Sequence, residues 1–171
     1  MEFKIAGIED RILSALKTYD LPPDRIEVEI TERTLMEASV RSDNALAKLR
    51  QAGIRLCIDD FGTGYSSLAY MKLFRPDCIK IAGDFVSNML EDDADRAVVK
   101  AIIGIAQALG IHMIAEHVAT AAQAKFLCDL GCCEVQGFAF SRALPVADIT
   151  AILRRKKIFA LLDRSALPVV A

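Results

Sequence analysis

From Arg25 onward the sequence alternates between short β-rich runs and helix-periodic segments, and this alternation limits the fold more than any other feature. The strand runs are Arg25–Thr31, Ile54–Asp59, Cys78–Ala82, Ile111–Glu116 and Cys133–Phe138. They read as near-continuous apolar runs, the pattern of strands buried on both faces of a parallel sheet. Between them Val98, Ile102, Ile105 and Leu109 make one helical stripe, with Asp92, Asp93 and Asp95 at its N-terminal end. Leu46 and Leu49 belong to a second helix closed by Gly53, and Phe126 and Leu130 to a third closed by Gly131. Ile8, Ile12 and Leu16 mark a leading helix that ends before Pro22-Pro23. Strand and helix in alternation predict an α/β fold with right-handed crossovers.

Two architectures fit that alternation, an open doubly wound sheet and a (β/α)8 barrel. A doubly wound sheet places a glycine-rich turn after its first strand, whereas here that strand ends in Glu29-Ile30-Thr31-Glu32. A barrel gathers polar working residues at the C-terminal ends of its strands. The second strand ends in Asp59-Asp60, the third carries Lys80, the fourth ends in Glu116 and the fifth holds Gln136. A strand end reaches water anyway, which explains one or two such residues better than five. A barrel needs eight strands and typically ~250 residues, and these 171 residues supply about five strands. The reading is therefore a TIM-barrel-like chain with about five of eight strands. Residues 1–24 form a leading helix and connection, 25–153 the C-terminal part of the barrel domain, and 154–171 a basic and apolar tail.

Composition narrows the partners. Apolar residues make up 53% of the chain, enough for a core and too many for disorder. The most apolar stretch, Ala101–Ala115, is interrupted by Gln107, His112 and two glycines and is too short to span a bilayer. No apolar signal-peptide core follows Met1, so a cytoplasmic location with no membrane segment is expected. A net charge of −2 gives no basic excess for nucleic acid. The run Arg154-Arg155-Lys156-Lys157 reads as a solvated helix face. Five cysteines in such a chain do not make a disulfide framework. Cys57 and Cys78 read as small core residues. Cys128, Cys132 and Cys133, with His112 and His117 nearby, lack the spacing of a zinc motif.

Carboxylates grouped around one lysine suit hard divalent cations such as magnesium or manganese. Adjacent aspartates at a strand end can bridge two metals and support attack of water on a phosphodiester, and a lysine beside them can offset phosphate charge. The residues thus point to metal-assisted phosphoester hydrolysis. Asp60-Phe61-Gly62 is not a kinase motif, because the H-R-D loop and the V-A-I-K strand are missing. Gly62-Thr63-Gly64-Tyr65-Ser66-Ser67 lacks the G-K-[ST] ending of a P-loop and fits a loop that opens a helix at Ser66 or Ser67.

The segment Asp59-Asp60-Phe61-Gly62-Thr63-Gly64-Tyr65-Ser66-Ser67-Leu68 resembles the D-D-F-G-x-G-x-S-S-L signature of the EAL-domain family, the cyclic di-GMP phosphodiesterases. Other blocks agree in order. Glu29-Ile30-Thr31-Glu32 is similar to E-[LI]-T-E, Pro76-Asp77-Cys78-Ile79-Lys80-Ile81 to P-D-x-[IL]-K-I-D, and Ala115-Glu116-His117-Val118 to A-E-G-V-E. The segment from Gln136 to Pro145 resembles the closing Q-G-Y-x-F-S-x-P-L-P. The resemblance implies a modified (β/α)8 barrel that hydrolyses cyclic di-GMP to pGpG with magnesium or manganese. It implies metal ligands at Glu29, Asp59 and Asp60, and a lysine, Lys80, that positions the attacking water. Glu116 then matches a metal-linked carboxylate and base, Gln136 a polar site residue, and Glu32 the anchor of the loop after Asp59-Asp60.

Some family positions differ. The E-A-L tripeptide and the asparagine ligand of the next strand are not in the sequence, the aspartate of K-I-D is Ala82, the glycine of A-E-G-V-E is His117, and its last glutamate is Ala119. Metal affinity should fall with the lost ligands. The expectation is therefore an EAL-type protein of cyclic di-GMP signalling that is inactive by itself. The alternative is a catalytically dead module that binds cyclic di-GMP or another protein. Sensor domains, a diguanylate cyclase domain or a second copy of the chain are the expected partners.

Overall fold

The computed structural model describes residues 7–36, 40–64, 71 and 74–154. These group into two compact units. One runs to Lys80 and includes Leu109–His112. The other comprises Ile81–Ala108 and the residues from Met113 on. The helix start expected at Ser66 or Ser67 and the tail beyond Arg154 lie outside the described residues.

The first unit opens with α1 (Ile8–Thr18), followed by β1 (Glu27–Thr31), α2 (Glu32–Met36), α3 (Val40–Gln51), β2 (Arg55–Phe61) and most of β3 (Cys78–Ile81). Helix α1 buries Ile8 and Leu16 and packs on α3, whose Leu46 and Leu49 are buried. A Lys48–Asp10 ion pair joins the two helices at the surface. Gly53 closes α3 at φ +91°, a backbone region that costs glycine little, and the chain turns directly into β2. The second unit holds α4 (Gly83–Asn88), α5 (Asp93–Leu109), β4 (His112–Ala115), α6 (Ala121–Asp129), β5 (Glu134–Val135) and α7 (Val146–Arg154). Asp92 caps α5, its Oδ1 accepting from Ala94 N at 2.7 Å and Asp95 N at 2.9 Å. Thr120 and Gln123 form a capping box at the start of α6.

The strands make a five-stranded parallel sheet in the order β1-β2-β3-β4-β5. β1 lies in register with β2, Glu29 opposite Cys57 and Thr31 opposite Asp59. Asp77 N donates to Leu56 O at 2.9 Å and fixes the entry of β3. In the second unit Ile114 and Ala115 pair with Glu134 and Val135.

The strands differ from the uniformly apolar runs read from the sequence. On one face β1, β2 and β3 present Val28, Ile30, Leu56, Ile58, Ile79 and Ile81, all buried. On the other face, by the two-residue period of a strand, stand Glu27, Glu29, Cys57, Asp59, Cys78 and Lys80. The buried stripe of α5 is Val99, Ile102, Ile103 and Ala106, while Leu109 is 48% exposed. This helix is apolar on more than one side, so periodicity alone does not fix its phase. The fifth strand is also shorter than Cys133–Phe138, because the chain turns at residues 137–140. Among the described residues no helix is long and apolar enough to cross a membrane.

Candidate functional site

Lys80 is the centre of the polar face in the first unit. Its side chain is 5% exposed, and a buried ammonium needs paired charge. Glu29 Oε1 lies 3.0 Å from Lys80 Nζ and Asp59 Oδ1 3.1 Å from it. Strand alternation makes this convergence inevitable: Glu29, Asp59 and Lys80 share a face on three neighbouring strands. Asp59 Oδ1 is buried, with the Lys80 ammonium as its charged neighbour.

Asp60, the next residue, is exposed and has φ +53°, a conformation uncommon outside glycine. Thr63 stabilises the bend, donating to Asp60 O from its N–H at 3.3 Å and its hydroxyl at 2.9 Å. Glu32, buried at the start of α2, accepts at Oε2 from Gly62 N at 3.1 Å and Gly64 N at 3.3 Å. The loop after Asp59-Asp60 is therefore tied to the end of β1 through a carboxylate, with charge-assisted bonds.

In the second unit Glu116 directly follows β4 and its N–H donates to Ile81 O at 3.2 Å. Gln136 follows β5 and is exposed, its backbone N–H donating to Ala115 O at 2.8 Å. His117 adopts φ +54°. Its imidazole lies against Gly83, where a Cβ would stand 1.7 Å from Nδ1. Ala82, just before, is buried.

The sequence reading missed Gln123, whose buried amide uses all of its hydrogen-bonding capacity. Oε1 accepts from Ala119 N at 2.8 Å and Thr120 N at 3.0 Å, and Nε2 donates to Val86 O at 3.3 Å and Ser87 O at 3.1 Å. It thereby holds the segment after Glu116 to the end of α4. The T-x-x-Q spacing of a capping box was the available signal; the contact with α4 had none.

Oxygen donors predominate around Lys80. Glu29 and Asp59 bring carboxylate oxygens, the donor type that suits a hard divalent cation, to the same ammonium.

Residues 2–143 match the EAL domain family, and the chain belongs to it. The chain is 38% identical over 151 residues to the bifunctional diguanylate cyclase/cyclic di-GMP phosphodiesterase MucR of Pseudomonas aeruginosa, a match covering 88% of this chain and 22% of MucR. It spans about a fifth of the length of such curated relatives. The solved structure of the MucR phosphodiesterase in complex with c-di-GMP is similar at a TM-score of 0.81 and 38% identity, over 86% of this chain and 60% of that one. The manganese and cy-diGMP complex of Klebsiella pneumoniae BlrP1 is similar at a TM-score of 0.75 and 32% identity, over 82% of this chain and 36% of that one. These neighbours are TIM-barrel-like EAL domains, in agreement with the barrel reading over the doubly wound one.

Proposed function

We propose that this EAL domain binds cyclic di-GMP and carries the centre of a metal-dependent phosphodiesterase that opens one ester bond of the ring to give pGpG. The observation that carries the reading is the buried Lys80 ammonium, paired with Glu29 and Asp59 at 3.0 and 3.1 Å. Magnesium or manganese would be held by Glu29, Asp59 and Asp60 and, when bound, would polarise the phosphate and acidify water. Lys80 orients the nucleophile and offsets phosphate charge. Glu116 accepts the proton that water gives up as it adds to phosphorus. Gln136 contacts the substrate, and Glu32 holds the loop that carries Asp60. A cytoplasmic setting, a partner sensor or cyclase domain and self-association belong to the same reading, the cyclase on the pattern of MucR.

A second reading, ligand binding without turnover, is favoured by Ala82 and Ala119 standing where the family motifs carry acids. Counterparts of the E-A-L glutamate and the following asparagine are not among the 171 residues. Misplacement by ~1 Å can cost about a hundredfold in rate, so negligible turnover by this polypeptide is expected. Calorimetry with cyclic di-GMP and a pGpG assay with excess manganese test both readings. Turnover that rises in Ala82→Asp and is lost in Asp59→Asn supports the hydrolytic centre. Binding with no turnover in any variant supports the second reading, and absence of binding overturns both.

A further inference from the structure

The face that carries Glu29, Asp59 and Lys80 has another row. Two residues earlier on the same three strands stand Glu27, Cys57 and Cys78, directed to the same side by the strand period. One ligand atom from each lies within 4.8 Å of the others. Both cysteines are fully buried and Glu27 is half-buried, so the cluster meets solvent on its carboxylate side. The two sulfurs are neighbours within that spacing. That contact, followed by burial, pushes the Cys57 thiol well above its ordinary range. Their remaining contacts are long, 3.8 Å from Cys57 Sγ to Ile58 O and 3.6 Å from Cys78 Sγ to Ile79 O.

We infer that Glu27, Cys57 and Cys78 form a second cation site, one that takes a borderline-soft divalent ion such as zinc. Packing alone accounts for two buried cysteines, but not for a carboxylate set beside both sulfurs. Thiolates select zinc over magnesium or manganese, so the two rows differ in metal preference although they share three strands. Zinc bonds of ~2.3 Å to sulfur and ~2.1 Å to oxygen need donor atoms roughly 3.5–4 Å apart, a small inward movement from the observed spacing. The fourth position is left to water. Binding releases one proton from each thiol to solvent. Two thiolates and a carboxylate leave one net negative charge around the ion, which the half-buried carboxylate side exposes to solvent.

The test uses the reduced 171-residue chain with Cys128→Ser and Cys133→Ser, which removes the other pair of neighbouring thiols. Cobalt(II) is the probe and zinc the competitor. The expected result is a saturable thiolate-to-metal charge-transfer band that zinc abolishes. Cys57→Ser and Cys78→Ser each weaken binding by at least about a hundredfold and reduce that band. Glu27→Gln, at a half-buried position, keeps the band and weakens binding by about tenfold. Asp59→Asn leaves the band unchanged, since oxygen ligands give none. Circular dichroism checks that each variant is folded. No band at excess cobalt, or a band that persists undiminished in folded Cys57→Ser and Cys78→Ser, overturns the site. So does a band lost in folded Asp59→Asn.

Discussion

The Glu32 carboxylate sits against the backbone of Gly64 so closely that a side-chain carbon there would stand 3.0 Å from Glu32 Cδ. The absence of a side chain at Gly64 is what lets its N–H reach Glu32 Oε2. In Gly64→Ala the carboxylate must shift by a few tenths of an ångström. Amide exchange at Gly62 and Gly64 should rise by about tenfold, which corresponds to ~1.4 kcal/mol. Glu32→Ala should raise it further while the rest of the fold keeps its protection. Unchanged exchange in both variants would remove Glu32 from the anchoring role.

Lys80→Met should destabilise the chain by about 2 kcal/mol, read as a lower urea midpoint. Losing one partner of a buried pair can cost more than that, but Glu29 and Asp59 retain 48% and 25% side-chain exposure and are partly screened. Adding Asp59→Asn should recover part of the loss, because the remaining carboxylate no longer faces a like charge. A double mutant less stable than Lys80→Met would contradict this.

Gln123→Met should cost about 2–4 kcal/mol, since it strands Val86 O, Ser87 O and the N–H groups of Ala119 and Thr120 without their partner. Gln123→Glu keeps the two accepted bonds and sets a carboxylate against two carbonyl oxygens, so it should also destabilise. Denaturant unfolding measures both, and a neutral Gln123→Met would mean that water replaces the clamp.

Cys128 is raised to about 11 from an ordinary 9.0, first by its hydrogen bond with Cys133 and then by burial. The folded chain therefore keeps this proton longer than the unfolded one. The associated stability is complete below pH 9.0 and is lost as pH rises towards about 11. The alkylation rate of Cys128 should climb over the same interval. Cys133→Ala should move that rise back towards the ordinary thiol range, and an unmoved profile would show that the hydrogen bond is not its cause.

Much of the site can be read from the sequence because strand-end chemistry is local. Glu29, Asp59-Asp60 and Lys80 are polar residues at the ends of recognisable strands, and Gly53 and Gly131 stop their helices where expected, at φ +91° and +93°. The choice of Glu29 and Asp59 as partners of Lys80 was hidden, since it depends on which strands are neighbours. The polar face was also hidden, because cysteine counts as apolar in a pattern and masks the alternation of β2 and β3. Helix α5 escaped for the opposite reason: with Val98, Val99, Ile102, Ile103 and Ile105 all apolar, the sheet decides which side is covered.

The alternation across β2 and β3 also means that core and site obey one parity. Sliding β3 by one residue against β2 would turn Lys80 towards the helices and Ile79 towards the carboxylates, exchanging every oil-facing residue for a charge-facing one. Such a slip would forfeit the buried isoleucines and the ion pairs together, so no half-right alignment can be stable. The residues that offer chemistry thus also proofread the assembly of the sheet, and the Leu56–Asp77 contact, with Leu56 N donating to Asp77 Oδ2 at 2.9 Å, holds that alignment where the chain enters β3.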